Sequence, residues 1–82
     1  VMDMPNLEKI LRDIAAAIVD HPDDVTVTSE ESGDEVTLTL AVHADDMGMV
    51  IGRHGRIAKA IRSVMKAAGA TCNKKVNVDI KD

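Results

Sequence analysis

The first third of the chain carries apolar residues at helical spacing. Apolar residues spaced three or four positions apart predict an amphipathic helix over about residues 7–20, with Asn6 as its N-terminal cap. The pair His21–Pro22 ends the helix, because a residue before proline disfavours the helical backbone. The apolar positions are Leu7, Ile10, Leu11, Ile14 and Ile18.

Three later stretches alternate apolar and polar residues, which is the period of a β-strand. The first stretch has Val25 and Val27 on one face, and a polar turn containing Gly33 joins it to the second as a hairpin. The third closes the chain with Val76, Val78 and Ile80. In the second stretch, Val36, Leu38, Leu40 and Val42 alternate with Thr37, Thr39 and Ala41.

Two helices are predicted between the second and third strands. A short helix, capped by Asp45 or Asp46, ends at Gly52. A longer helix has Gly69 as the residue that follows it. Its apolar side holds Ile57, Ala60, Ile61, Val64, Met65 and Ala68, and its basic side holds Arg56, Lys59, Arg62 and Lys66. The order predicts one α+β domain over residues 1–82, with helices on one face of a three-stranded sheet.

Composition limits what this domain can do. The 82 residues include no Phe, Tyr or Trp, so the core is aliphatic and no base can stack on an aromatic side chain. The single cysteine, Cys72, excludes an internal disulfide and a cysteine metal cage, and fits a reducing compartment. No apolar stretch approaches the roughly 18 residues of a membrane span, so a soluble, cytoplasmic protein is expected.

The net charge of −4 conceals two segments of opposite sign. Residues 1–46 hold twelve acidic side chains against two basic ones, whereas residues 47–78 hold seven basic side chains and no acidic one. Such asymmetry indicates either a localised anionic partner or, more simply, a solvated helix face.

The stretch "VIGRHGRIAKAIR" (residues 50–62) lies in the basic segment and opens the long helix. Gly52 and Gly55 bracket a two-residue turn, where free backbone N–H groups and the helix dipole favour phosphate. Arg53, His54 and Arg56 add side-chain donors. The glycine spacing fits neither a P-loop nor a dinucleotide-binding turn.

In this setting "VIGRHGRIAKAI" resembles the signature of the KH (K-homology) RNA-binding domain, and the element order resembles its bacterial, type II form. Together with "VDHPDDV", the longer stretch "DDMGMVIGRHGRIAKAIRSVMKAA" and "NKKVNVDI", the chain is similar over nearly its whole length to small bacterial single-KH proteins of the KhpA type.

The resemblance implies which residues bind RNA. Gly52, Arg53, His54 and Gly55 would clamp the backbone of about four nucleotides. Arg56, Lys59 and Arg62 would contact the RNA strand along the helix. Bases would lie in an apolar groove between the two helices and the middle strand, lined by Val50, Ile51, Ile57, Ala58 and Ile61, with Leu38 and Leu40 as further candidates. Ala58 replaces a larger aliphatic residue of the family pattern, which would widen the groove.

The resulting hypothesis is a non-enzymatic protein that binds single-stranded RNA, as a post-transcriptional regulator or RNA chaperone. A small module without aromatic stacking binds weakly, so a homodimer or a second KH-domain protein is the expected partner. No cofactor or metal is expected, because His43, Asp45 and Asp46 alone do not define a metal site. The alternatives are a protein-interaction module with a vestigial RNA groove, and binding of single-stranded DNA.

Overall fold

Three strands form one mixed sheet in this computed structural model, which describes residues 6–82. In chain order the elements are α1 (Leu7–Ile18), β1 (Thr26–Ser32), β2 (Glu35–Ala41), α2 (Met47–Ile51), α3 (Arg56–Ala70) and β3 (Lys75–Lys81). Short 3-10 turns lie at Pro22–Asp24, Ala44–Asp46 and Arg53–Gly55. The predicted α+β element order is confirmed; residues 1–5 of the predicted domain lie outside the described range.

The sheet has β2 at its centre. It pairs antiparallel with β1, where Ser32 faces Glu35 across the hairpin, and the predicted turn glycine, Gly33, has a φ of +60°. On its other side β2 pairs in parallel with β3, where Val36 faces Val76. Because parallel neighbours need a crossover connection, α2 and α3 together carry the chain from β2 back to the start of β3.

The helices pack on the face of the sheet that carries the alternating apolar residues. Leu38 and Leu40 are fully buried beneath them, and Leu11 of α1 is equally inaccessible. Full burial of such a side chain contributes about 1.5–3 kcal/mol, so these three alone form a substantial part of the core of a small domain. The opposite face of β2 is polar, with the half-buried Thr37 and Thr39.

The first helix starts as predicted and ends earlier. Asn6 Oδ1 accepts a hydrogen bond from the backbone N–H of Lys9 at 3.1 Å, which confirms the cap. The last helical residue is Ile18 rather than residue 20, because Val19 already has an extended backbone with a ψ of 161°. The chain thus straightens before it reaches the His21–Pro22 pair.

The long helix buries only part of the side predicted: Ile61 and Met65 are buried as expected, but Ile57, Ala60 and Val64 are exposed. Its core positions are Ala58, Ile61, Met65 and Gly69, whereas Ile57 and Val64 are 38% and 48% exposed. Gly69 lies inside α3 and does not follow it. A Cβ at this position would meet Val76 and the Lys74 carbonyl oxygen. Small residues therefore bring α3 close to β3. The displaced apolar side chains form an exposed stripe, called here the α3 stripe, of Ile57, Ala60, Val64 and Ala67.

The start of α2 also departs from the prediction. Asp46 occupies the cap position, but its side chain makes no capping hydrogen bond and is 1% exposed. Asp45 does not cap either; instead its backbone N–H donates to Nδ1 of His43 at 3.0 Å. A histidine ring thus caps the turn that precedes α2, and the Asp46 carboxylate is directed into the protein.

Candidate nucleic-acid interface

The turn between α2 and α3 needs glycine at both ends, for two different reasons. Gly52 has a φ of +76°, and a Cβ there would collide with the side chain of Ile57 and lie 2.9 Å from its backbone nitrogen. Gly55 has a φ of +73°, and a Cβ added to it would meet no atom within 4 Å. Gly52 therefore allows close packing inside the turn, and Gly55 leaves its outer surface open.

The turn is fixed by its own backbone hydrogen bonds. The Gly52 N–H donates to the Gly48 carbonyl at 2.9 Å, and the Gly55 N–H donates to the Gly52 carbonyl at 3.1 Å. The Arg56 N–H donates to the Arg53 carbonyl. The prediction that these N–H groups are free for phosphate is wrong for these three, because each has a partner inside the turn.

The basic side chains of the turn and of α3 are open to solvent. Arg53, His54 and Arg56 are exposed, and Lys59 and Lys66 are exposed further along the helix. The His54 backbone has a φ of 58°, which turns this residue into the left-handed region between the two glycines. Within residues 6–82, none of these side chains forms a salt bridge with a carboxylate. The positive charge of the arginines and lysines is available to an anionic ligand.

An open edge of the sheet runs beside α3. The Lys75 N–H donates to the Asp34 carbonyl at 2.7 Å, and the Lys81 carbonyl accepts from the Val42 N–H at 3.1 Å, so odd-numbered residues of β3 face β2. In a strand the N–H and C=O of one residue face the same edge and those of the next residue face the opposite edge. The backbone groups of Val76, Val78 and Ile80 therefore face the other edge of β3, which has no partner strand within residues 6–82.

Arg62 connects α3 to this edge. Its Nε–H donates to the carbonyl oxygen of Val78 at 3.2 Å. Between the helix and the strand lies a groove of about 380 Å³. It is lined by Arg62, Lys66, Val76, Asn77, Val78 and Asp79.

The strand that borders this groove is β3, so the prediction that the middle strand does so is wrong. Both edges of β2 are paired, and Leu38 and Leu40 are fully buried under the helices. Sequence reasoning missed Val78 as a site residue because alternation identifies a strand but not the edge of the sheet on which it lies.

The apolar residues predicted to line the groove divide by burial. Val50 is completely buried, and Ala58 and Ile61 are each 3% exposed, so these three side chains lie beneath the surface. Ile57 is exposed and Ile51 is half-buried. Of the five, these two have side-chain surface that a base could contact.

A second cluster joins the end of α1 to the turn before α2. The Asp46 carboxylate accepts from the backbone N–H of His21 and bonds to its ring nitrogen Nδ1, each at 3.0 Å. The hydrogen bond to Asp46 raises the pKa of His21 despite some desolvation. Burial acts to raise the pKa of Asp46, but the bonds from His21 outweigh it and lower that pKa.

The His21 ring also stacks on His43, with ring centroids 4.2 Å apart. No group of three His, Cys, Asp or Glu side chains within residues 6–82 is arranged to hold a metal ion. The cluster therefore joins two segments of the fold. No helix within the same range is long and apolar enough to cross a membrane.

The fold and the site together define a class of protein. An α-β-β-α-α-β order, a last strand parallel to the central one and a G-x-x-G turn between the last two helices are the features of a type II KH domain. Residues 8–80 match the family model described as the KH domain of KhpA and KhpB. The chain therefore belongs to the KhpA/KhpB KH-domain family.

Relatives of similar length support this assignment. The chain is 47% identical over 76 residues to the RNA-binding protein KhpA of Halalkalibacterium halodurans, an alignment that covers 93% of this chain and 100% of that protein. It is also 47% identical over 77 residues to the RNA-binding protein KhpA of Bacillus subtilis, covering 94% and 95% of the two chains.

A solved structure supports the fold. The Era protein of Aquifex aeolicus, bound to GDP and aluminium fluoride, superimposes with a TM-score of 0.69 at 15% identity. The match covers 98% of this chain and 32% of that one, so the likeness concerns the fold of one part of Era.

Proposed function

We propose that this protein is a single KH domain that binds single-stranded RNA in the cytoplasm, as a post-transcriptional regulator or RNA chaperone. The relatives are named for RNA binding and not for a reaction, in agreement with a non-enzymatic role. The observation that carries the proposal is the pairing of an open, basic G-x-x-G turn with a groove along an unpaired strand edge.

The RNA backbone would bind at the turn. Gly55 leaves space for close approach of a sugar-phosphate chain, and the exposed Arg53, His54 and Arg56 supply donors for its phosphates. Lys59 lies one turn along α3 and extends the same positive surface. Most donors would come from charged side chains, because backbone N–H groups of the turn have partners within it. The affinity for RNA should therefore depend strongly on salt.

The bases would lie between α3 and the open edge of β3. Arg62 is seven residues beyond Gly55, which is about 10 Å along the helix axis. An RNA strand that leaves the turn would therefore reach the groove within a few nucleotides. The backbone N–H and C=O groups of Val76, Val78 and Ile80 can hydrogen-bond with base edges, and Ile57 offers apolar surface near the turn.

A charge reversal in the turn tests this proposal. Arg53→Asp with His54→Asp keeps both glycines, and Asp tolerates the left-handed backbone at residue 54. Arg12→Asp with Ala17→Asp on the exposed side of α1 introduces the same charge change elsewhere. We expect the first pair to lower affinity for a fluorescent RNA octamer at least tenfold in anisotropy, and the second to change it little.

Three other outcomes would point elsewhere. Undiminished RNA binding by the turn variant would contradict the assignment of the turn. Failure of the wild type to bind RNA at low salt, together with specific capture of a protein, would favour an interaction module. Stronger binding of the matched DNA octamer would favour single-stranded DNA as the ligand.

We further propose that two copies associate through the part of the α3 stripe beyond Ile57, formed by Ala60, Val64 and Ala67. Small alanines flank Val64 on both sides, which lets two helices approach closely around a two-fold axis. Two linked grooves would compensate for weak binding by one groove without aromatic stacking. A second KH-domain protein with a similar stripe is the alternative partner, and would appear as a mixed dimer.

A further inference from the structure

Arg62 differs from the other basic side chains of α3. Its Nε–H is bonded to the Val78 carbonyl, and this contact is partly buried. Within residues 6–82, Arg56, Lys59 and Lys66 form no side-chain hydrogen bond with the protein. The sequence predicts that Arg62 contacts the RNA strand along the helix. In the structure its guanidinium is held at the edge of β3, where bases are expected.

The backbone N–H and C=O of Val78 would otherwise present one donor and one acceptor to the groove. Adenine matches such a pair, because its Watson–Crick edge has an acceptor, N1, beside a donor, the N6 amino group. The bond from Arg62 engages the acceptor of this pair, the Val78 carbonyl oxygen. An adenine at this position would therefore have to share that oxygen with a charged donor.

The same side chain adds donors to the groove. A guanidinium carries five N–H groups in a planar fork, so four remain after the bond to Val78. Together with the Val78 N–H, which faces the same edge, they make this part of the groove rich in donors. Cytosine presents two adjacent acceptors, O2 and N3, and hydrogen bonds from a charged donor are roughly twice as strong as neutral ones.

We infer that Arg62 is a base-selecting residue that makes the groove prefer cytosine to adenine beside Val78, an inference that rests on the proposed RNA-binding function. Guanine presents two donors on its Watson–Crick edge and is disfavoured by the same donors. Uracil presents its two acceptors on either side of a donor and falls between cytosine and adenine. Lys59 and Lys66 remain for contacts with phosphates.

The test compares fluorescent rC and rA octamers with the wild type and with Arg62→Lys by anisotropy at low salt. Lysine keeps the charge but loses the planar fork and its Nε–H. We expect the wild type to bind rC about tenfold more tightly than rA, and the ratio to fall to about one in Arg62→Lys. Because both proteins meet the same oligomers, differences in stacking within the free RNA cancel between them.

Arg62→Gln and Lys66→Gln complete the test as a pair with equal loss of charge. Arg62→Gln should also remove the preference, whereas Lys66→Gln should weaken both oligomers equally and leave their ratio unchanged. Thermal unfolding verifies that each variant is folded. A ratio that is the same in the wild type and in both Arg62 variants, or a wild-type preference for rA, overturns the role of Arg62 while RNA binding stands. If the wild type binds neither oligomer, the proposed function fails and this inference fails with it.

Discussion

The ring nitrogen Nδ1 of His21 lies 3.0 Å from a carboxylate oxygen of Asp46, a residue 25 positions further along the chain. The same oxygen accepts the backbone N–H of His21, so one buried carboxylate holds the segment after α1 against the turn that precedes α2. Because α2 has five residues and leads directly into the G-x-x-G turn, this contact supports the position of the turn.

This contact predicts a pH-dependent stability. The pKa of His21 is raised above its ordinary value of 6.5, so the stability it contributes is complete below that pH and is lost as pH rises through the raised pKa. The pKa of Asp46 is lowered from 3.8, so its contribution is present above that pH and is lost as pH falls through the lowered pKa. The pair therefore stabilises the fold most between these two values.

We expect the melting temperature of the wild type to decrease as pH rises from about 6 to about 8, and the decrease to be smaller in His21→Gln. Circular dichroism at a series of pH values measures both. His54→Gln is the control, because His54 is exposed and forms no salt bridge within residues 6–82. An equal pH dependence in the wild type and in His21→Gln would contradict this role for the pair.

The two glycines of the turn should differ in their cost of substitution. Gly52→Ala combines an unfavourable backbone with a collision against Ile57, and should lower the free energy of unfolding by about 2–4 kcal/mol. The Cβ of Gly55→Ala meets no atom, so only the positive φ is unfavourable, and the free energy of unfolding should decrease by about 1 kcal/mol. Urea denaturation measures both, and equal losses would show that Ile57 does not pack over Gly52 as described.

Two helical glycines form a second matched pair. Gly48→Ala, in α2, meets no neighbour and should raise stability by about 0.5–1 kcal/mol through better helix propensity. Gly69→Ala, in α3, places its Cβ against Val76 and should lower stability by about 1–3 kcal/mol despite the same gain in propensity. Stabilisation by both substitutions in urea denaturation would contradict the close approach of α3 to β3.

The α3 stripe should control association. Val64→Glu places a charge at its most exposed large side chain, and we expect sedimentation velocity to show monomer at concentrations where the wild type forms dimers. Thr28→Glu, on an exposed position of β1, introduces the same charge and should leave the dimer intact. A wild type that is monomeric alone, and dimeric with a second KH-domain protein, would identify the mixed dimer instead.

The sequence predicted the elements better than it predicted their faces. Periodicity and the turn glycines were sufficient for three helices, three strands and their order, because each signal is local. For α3, Ile57 and Val64 extend the apolar pattern beside Ile61, so hydrophobicity alone did not define the buried side. The small residue Gly69 helps to define it, through a close approach to β3 that sequence spacing does not reveal.

The candidate site shows the same limit. The G-x-x-G turn and its basic side chains follow from adjacent residues and could be predicted directly. The open edge of β3 depends on which side of β2 the last strand pairs, and the burial of Asp46 depends on His21, which lies far away in the sequence. Both are tertiary features, so the predicted middle-strand wall and the predicted helix cap were wrong.

A titration of the ¹⁵N-labelled protein with a single-stranded RNA octamer, followed by NMR of its backbone amides, tests RNA binding at this site most directly. We predict that the largest shift changes occur in two segments, Gly52–Gly55 and Val76–Ile80, with smaller changes along the basic side of α3. Changes that are absent at low salt, or that are confined to α1 and β1, would contradict the proposed interface.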